Sequence, residues 1–258
     1  TSLVLNVYEF IIIVLFLSSL IPVLHWIRCI FSPINKTKPA MQSNPSEKAT
    51  IILPMRDEEN HVKRKIFEVI EEIGEKGDVD VIVINSASVD DTSRIATKIL
   101  SDSCLREKRW KVIDSDKSGK SHAINLALSE TNSDLYIVMD ADVTAMEGWM
   151  DKLSSYFANP EIGAISGVEG AQNAKKGGIR DNYRNNSDKI KLWESYKDST
   201  PVLEGALLAW RKSALGDFEL DEGCNADDAQ ISFQAIRRGF RSVVVDDLVF
   251  FDMNNNHK

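Results

Sequence analysis

The chain has 258 residues, a formal charge of −8, and hydrophobic residues at 43% of positions. That length and apolar content suffice for one large α/β domain or two small ones without disulfide staples. The negative charge excludes a protein that coats nucleic acid, but not one that takes a phosphate-bearing substrate on a bound cation.

The N-terminal stretch from Phe10 to Ile27, FIIIVLFLSSLIPVLHWI, carries no charge before Arg28. About 20 apolar residues cross a bilayer as a helix. Tyr8 and Trp26 stand near its two ends, where interfacial aromatics concentrate. Ser18, Ser19 and Pro22 weaken the run, so a buried or re-entrant helix is the competing reading. Arg28, Lys36, Lys38 and Lys48 follow the run, and Glu9 is the charge that precedes it. The positive-inside rule then predicts a membrane anchor over residues 1–31 with the remainder in the cytoplasm. Cys29, Cys104 and Cys224 lie far apart and lack metal-ligand spacing, as expected of free thiols in a reducing compartment. Residues 32–49 hold Pro33, Pro39 and Pro45 and no hydrophobic period, which predicts a linker.

From Thr50 onward, strand-like and helix-like runs alternate, the pattern of a parallel sheet covered by helices. Strands are expected over 51–53, 79–84, 110–113 and 135–139, and helices over 57–75, 91–100 and 121–129. A helix over 146–157 and a strand over 162–166 follow. Residues 169–200 are rich in Lys, Asn, Asp and Gly and read as a mobile surface insertion, most helix-like at 189–196. Residues 203–210 return to the sheet, 227–238 form a helix stopped at Gly239, and 242–251 form a last strand. The composition change divides the domain into a half over 50–168 and a half over 169–258.

Several strand ends carry polar clusters. Leu135 to Met139 is apolar, and Asp140 and Asp142 leave its tip one residue apart. Ligands of open α/β sheets bind at the carboxyl ends of strands, and two carboxylates there can share Mg²⁺ or Mn²⁺. Asp is also common in turns, so the pair alone fits a plain strand end equally well. The first strand ends in PMRDEE (54–59), which also suits a Pro-stopped strand and an acidic first helical turn. The second ends in NSASVDDT (85–92), whose Ser88 and Asp90 suit helix capping. Lys117-Ser118-Gly119-Lys120-Ser121 opens the third helix, where a cation and a helix N-terminus can meet a phosphate. It lacks the earlier glycine of a P-loop, because Asp114 stands there.

In this order the clusters, with Asp227-Asp228 before a helix and Arg238-Gly239-Phe240 after it, resemble family 2 glycosyltransferases of the GT-A fold. The resemblance covers about residues 50–252. It implies a mostly parallel, Rossmann-like α/β sheet flanked by helices and preceded by the transmembrane helix. It implies an enzyme moving a sugar from a nucleotide-diphospho-sugar donor to a hydroxyl acceptor, glycan or lipid-linked, with inversion. The 50–168 half would bind the donor and the 169–258 half the acceptor. Pro54, Arg56, Glu58 and Ser86 would border the nucleoside, Lys120 would lie near the phosphates, and Asp140 would contact ribose or metal. Asp142 would hold Mg²⁺ or Mn²⁺, and Asp228, or Asp227 beside it, would be the general base. Asn85 and Ser86 replace two acids of the family's nucleoside pocket, which motivates a second reading as a non-catalytic membrane-tethered scaffold. A nucleotidyltransferase, which also uses paired carboxylates, is a third. His257 is a further candidate metal ligand, although a tail histidine is the simpler reading.

Overall fold

A computed structural model describes residues 2–31, 47–74, 78–103, 105, 109–170 and 179–253. Cys104, His257 and most of the expected linker lie outside the described residues, and Cys224 is an exposed free thiol. Helix α1 (Ser2–Phe31) is continuous through Pro22. Its segment Asn6–Arg28 is long and apolar enough to cross a membrane, and none of that window is buried against the rest of the molecule. Ser18 and Ser19 donate their hydroxyls back to the carbonyls of Leu15 and Phe16, at 2.8 and 2.7 Å. Each serine hydroxyl therefore has its acceptor within the helix.

The domain begins with strand β1 (Ala49–Met55), helix α2 (Val62–Ile73), strand β2 (Val79–Ser86), helix α3 (Thr92–Ser101), strand β3 (Trp110–Ser115), helix α4 (Lys120–Ser129) and strand β4 (Leu135–Met139). This is the expected alternation, and β3, β2, β1 and β4 are parallel neighbours in that order. After β4 come strand β5 (Val143–Ala145), helix α5 (Trp149–Phe157), strand β6 (Ile162–Glu169), helix α6 (Ile179–Lys197), strand β7 (Leu207–Arg211), helix α7 (Lys212–Leu215), helix α8 (Asp227–Arg237) and strand β8 (Arg241–Asp252). The eight-stranded order is β3-β2-β1-β4-β7-β6-β8-β5. The direction reverses at β7, which is antiparallel to both β4 and β6.

Several boundaries differ from those expected. Residues 57–61 form turns rather than helix, because their backbone bonds to the neighbouring loop. The expected helix over 146–157 begins only at Trp149. The residues before it include the three-residue edge strand β5, too short to show a period of two. The expected surface insertion over 169–200 contains α6, a 19-residue helix docked on β8 through the Val244 amide and Ser195 Oγ (2.8 Å). Its mostly polar sequence conceals the buried pair Ser195 and Tyr196. Strand β8 runs through Asp246 and Asp247 by a register shift against β6. At Gly167, beside that shift, a Cβ would sit 2.1 Å from the Leu248 carbonyl oxygen, so the approach requires glycine.

Two apolar layers sandwich the sheet. On one face α2, α3 and α5 bury Val62, Ile66, Leu100, Trp149 and Leu153 against β1, β2 and β4. On the other, α4, α7 and α8 bury Ile124, Leu215 and Ile231 against Ile52, Tyr136 and Trp210. The chain enters the sheet at its amino-terminal edge, where Glu47 meets Arg211 Nη1 at 2.7 Å and Lys48 meets Asp80 at 3.3 Å. Arg211 also donates to the carbonyls of Phe157, Asn159 and Ile162.

Candidate active site

Because β1 to β4 run parallel, their carboxyl ends share one edge, and the polar clusters of the sequence gather there. The loops after β1 and β2 are stitched together. The amides of Asp57, Glu58 and Glu59 donate to Ser88 Oγ, Thr92 Oγ1 and Asp90 Oδ2, at 2.9, 2.8 and 3.0 Å. In return the Val89 amide donates to Asp57 Oδ1 at 2.8 Å. Asp57 (φ 54°) and Ala87 (φ 56°) both adopt the left-handed conformation that non-glycine residues rarely take. Pro54 lies within β1 opposite Ile84, Arg56 is exposed, and Glu58 is held by His61 Nδ1 at 2.7 Å. Ser86 is buried and in register with Ser115. Asn85, also buried, donates its Nδ2 to Asp114 Oδ1 at 2.8 Å, while its Oδ1 has no hydrogen-bond partner among the described residues.

Lys120 is the centre of the arrangement. Gly119, at φ 131°, turns the chain into α4 so that the first helical residue faces the crevice. Lys120 Nζ lies 2.6 Å from Asp140 Oδ1, 3.0 Å from the Gly205 carbonyl and 3.7 Å from Asp227 Oδ2. Burial opposes its charge, but Asp140, Asp227 and Asp228 outweigh that and hold the ammonium above the ordinary lysine value. Asp227 is buried, and its Oδ2 accepts no hydrogen bond among the described residues. Burial pushes its carboxyl up, reinforced by Asp228 and Asp140 against the pull of Lys120. Asp228 is more open and accepts the Ala229 amide at 2.7 Å. The end of β4, the start of α4 and the start of α8 thus converge on one cation.

Asp142 is half-buried two residues beyond Asp140, and its carbonyl accepts the Met253 amide at 2.9 Å. Among the described residues no three His, Cys, Asp or Glu side chains form a closed metal cage. Magnesium in phosphate sites is held by one or two carboxylates together with substrate oxygens, and the hard oxygens of Asp142 and its neighbour fit that donor set.

Residues outside the sequence motifs brace this segment. Arg64 donates to Thr144 Oγ1 and to the carbonyls of Ala141 and Val143, the latter at 3.4 and 3.5 Å. Glu68 accepts the Ala145 amide at 2.8 Å, and Glu72 accepts those of Gly148 and Met150 at 3.0 and 3.1 Å. Their spacing of four along α2 puts them on one stripe, the signal by which the sequence exposes them. A second clasp involves Glu222, which pairs with Lys117 and with His122 Nδ1 (2.8 Å), while Asn125 bonds both backbone groups of Leu220. These pairings push the Glu222 carboxyl down to about 2.

Residues 50–218 match the sequence profile of the family described as Glycosyl transferase family 2. The chain belongs to glycosyl transferase family 2. No curated protein matches it in sequence. Among solved structures, this family 2 chain resembles the mannosyltransferase PcManGT from Pyrobaculum calidifontis, in complex with GDP-Man and Mn²⁺. The TM-score is 0.75 at 20% identity, over 92% of this chain and 65% of that one. It also resembles TarS from S. aureus, with TM-score 0.61 and 15% identity over 80% of this chain and 36% of that one. A shorter form of TarS in complex with UDP-GlcNAc gives TM-score 0.60 and 15% identity, over 79% and 58%. The chain spans less than two thirds of each of these proteins. At such identities the likeness establishes the fold, which is GT-A.

Proposed function

We propose that the protein is an inverting glycosyltransferase that moves a sugar from a nucleotide-diphospho-sugar to a hydroxyl acceptor, glycan or lipid-linked, at the cytoplasmic face of a membrane entered by α1. Residues 1–31 are the anchor, 32–49 the linker, 50–168 the donor half and 169–258 the acceptor half. The observation that carries this reading is the convergence of Asp140, Asp227 and Asp228 on Lys120. It joins the strand-tip carboxylate Asp140 to the acid pair of a distant helix within one crevice. The Mn²⁺ and GDP-Man of the archaeal neighbour and the UDP-GlcNAc of TarS support the same chemical class.

In this reading the stitched loops after β1 and β2 form the nucleoside wall, bordered by Pro54, Arg56, Glu58 and Ser86. Lys120, kept charged by the acids around it, offsets the negative charge that grows on the departing nucleoside diphosphate. Asp142, with Asp140 beside it, would hold Mg²⁺ or Mn²⁺ together with donor oxygens, and a metal so bound supplies further positive charge at the diphosphate. Asp228, the more open of the acid pair, accepts the proton of the acceptor hydroxyl. The hydroxyl oxygen forms a bond to the anomeric carbon on the face opposite the breaking bond to phosphate, so the configuration inverts. Asp227 holds Lys120 from beneath.

A thermal-shift and calorimetric test with a panel of nucleoside diphosphates checks this reading. Stabilisation is expected only when Mn²⁺ or Mg²⁺ is present, and Asp142→Asn is expected to abolish it. Metal-independent binding, or sugar transfer that survives Asp142→Asn, refutes the assigned metal role.

A further inference from the structure

Helix α6 touches two very different surroundings. Its inner side is committed to the catalytic half: Ser195 and Tyr196 are buried, and Lys191 pairs with Glu204, the neighbour of the Gly205 whose carbonyl holds Lys120. Helical spacing collects Asn186, Ile190, Trp193 and Lys197 on the opposite stripe, with Lys189 on its flank, and both lysines are exposed. At this stripe α6 meets α1. The Trp193 ring stands edge-on to His25 with centroids 5.9 Å apart, and Glu194 Oε1 lies 4.0 Å from His25 Nε2.

His25 lies inside the apolar segment Asn6–Arg28, three residues from its end. At 1.5 Å per residue that is about 4.5 Å of depth. A bilayer that encloses α1 up to Arg28 therefore reaches Trp193, because the two helices touch at that level. Tryptophan favours this boundary, and lysines beside it reach outward to lipid phosphates. We propose that the outer stripe of α6 rests on the membrane surface beside α1, with Trp193 at the headgroup boundary and Lys189 and Lys197 against anionic headgroups. This rests on the reading of α1 as a membrane span. It also narrows the acceptor: the bilayer surface then lies about one helix diameter, roughly 10 Å, from the Glu204–Gly205 wall of the crevice. An alcohol carried on a membrane amphiphile needs to cross only that thickness.

The test uses the full chain reconstituted in phosphatidylcholine–phosphatidylglycerol vesicles that contain a lipid with a nitroxide at its headgroup. Tryptophan quenching is compared for the wild type, Trp26→Phe and Trp193→Phe. Each variant is expected to lose a comparable share of the quenching, and adding Ile190→Trp to Trp193→Phe is expected to restore it from the same stripe. Wild-type quenching in Trp193→Phe, alongside its loss in Trp26→Phe, overturns the proposal while leaving the anchor standing. Unchanged quenching in Trp26→Phe removes the anchor reading and this inference with it.

Discussion

Lys120 Nζ and Asp140 Oδ1 stand 2.6 Å apart, and this pair joins the first turn of α4 to the tip of β4. Two more carboxylates surround the same ammonium, so its removal leaves an uncompensated cluster of negative charge. Lys120→Met is expected to cost about 3 kcal/mol of stability at neutral pH, by urea denaturation. The pH dependence follows from the raised folded value. The lysine's contribution is fully present below its unfolded value of 10.5 and is lost as pH rises through the higher folded value. The gap between wild type and Lys120→Met should hold up to about pH 10.5 and close above it.

In the proposed mechanism the two acids of α8 have different tasks. Asp228→Asn is expected to lower sugar transfer by about 10²–10⁴-fold, the usual range for loss of a general base, with donor affinity within about twofold. Asp227 faces Lys120, so Asp227→Asn should instead draw the Lys120 titration downward and bring the alkaline loss of stability to lower pH. Pre-steady-state transfer and pH-dependent denaturation separate the two.

Arg64 touches the backbone on either side of Asp142. Arg64→Met is expected to weaken metal-dependent nucleoside diphosphate binding about tenfold, the lower end for loss of a residue that supports a metal ligand. Calorimetry with Mn²⁺ measures this, and unchanged affinity removes the bracing role.

Lys65 is fully buried beside Glu68, whose carboxylate oxygens lie 3.3 and 3.4 Å from its Nζ. Burial pulls its ammonium below the ordinary lysine value despite that partner. The double variant Lys65→Met/Glu68→Gln removes both charges while keeping the apolar stem and an acceptor for the Ala145 amide, so a neutral effect or a gain of about 1 kcal/mol is expected. Glu68→Ala strands both Lys65 and the Ala145 amide and should cost about 3 kcal/mol. Thermal denaturation distinguishes the pair.

The first half of the fold was legible because β1, β2 and β4 are buried on both faces and read as apolar runs broken by polar tips. The residues meeting at Lys120 were each visible as motif positions, although their spacing along the chain gave no distance. Hidden instead were features decided by tertiary partners. The turns over 57–61 exist because their amides bond to Ser88, Thr92 and Asp90, acceptors some thirty residues away. The reversal at β7 has no local signature, and α6 buries too few residues for its polar sequence to advertise a docked helix. Asn85, a departure from the family pattern by sequence, is a buried member of a pair with Asp114 in space.

The entry of the chain at Glu47 and Lys48 has a mechanical consequence. If α1 spans a membrane, tension carried along the chain reaches the domain through β1, at the end of the sheet opposite the crevice, where Arg211 and Asp80 receive it. Strand β1 is hydrogen-bonded along its length to β2 and beside β4, with both neighbours parallel. Such a load acts along the strand and shears these ladders together rather than peeling their bonds apart one at a time.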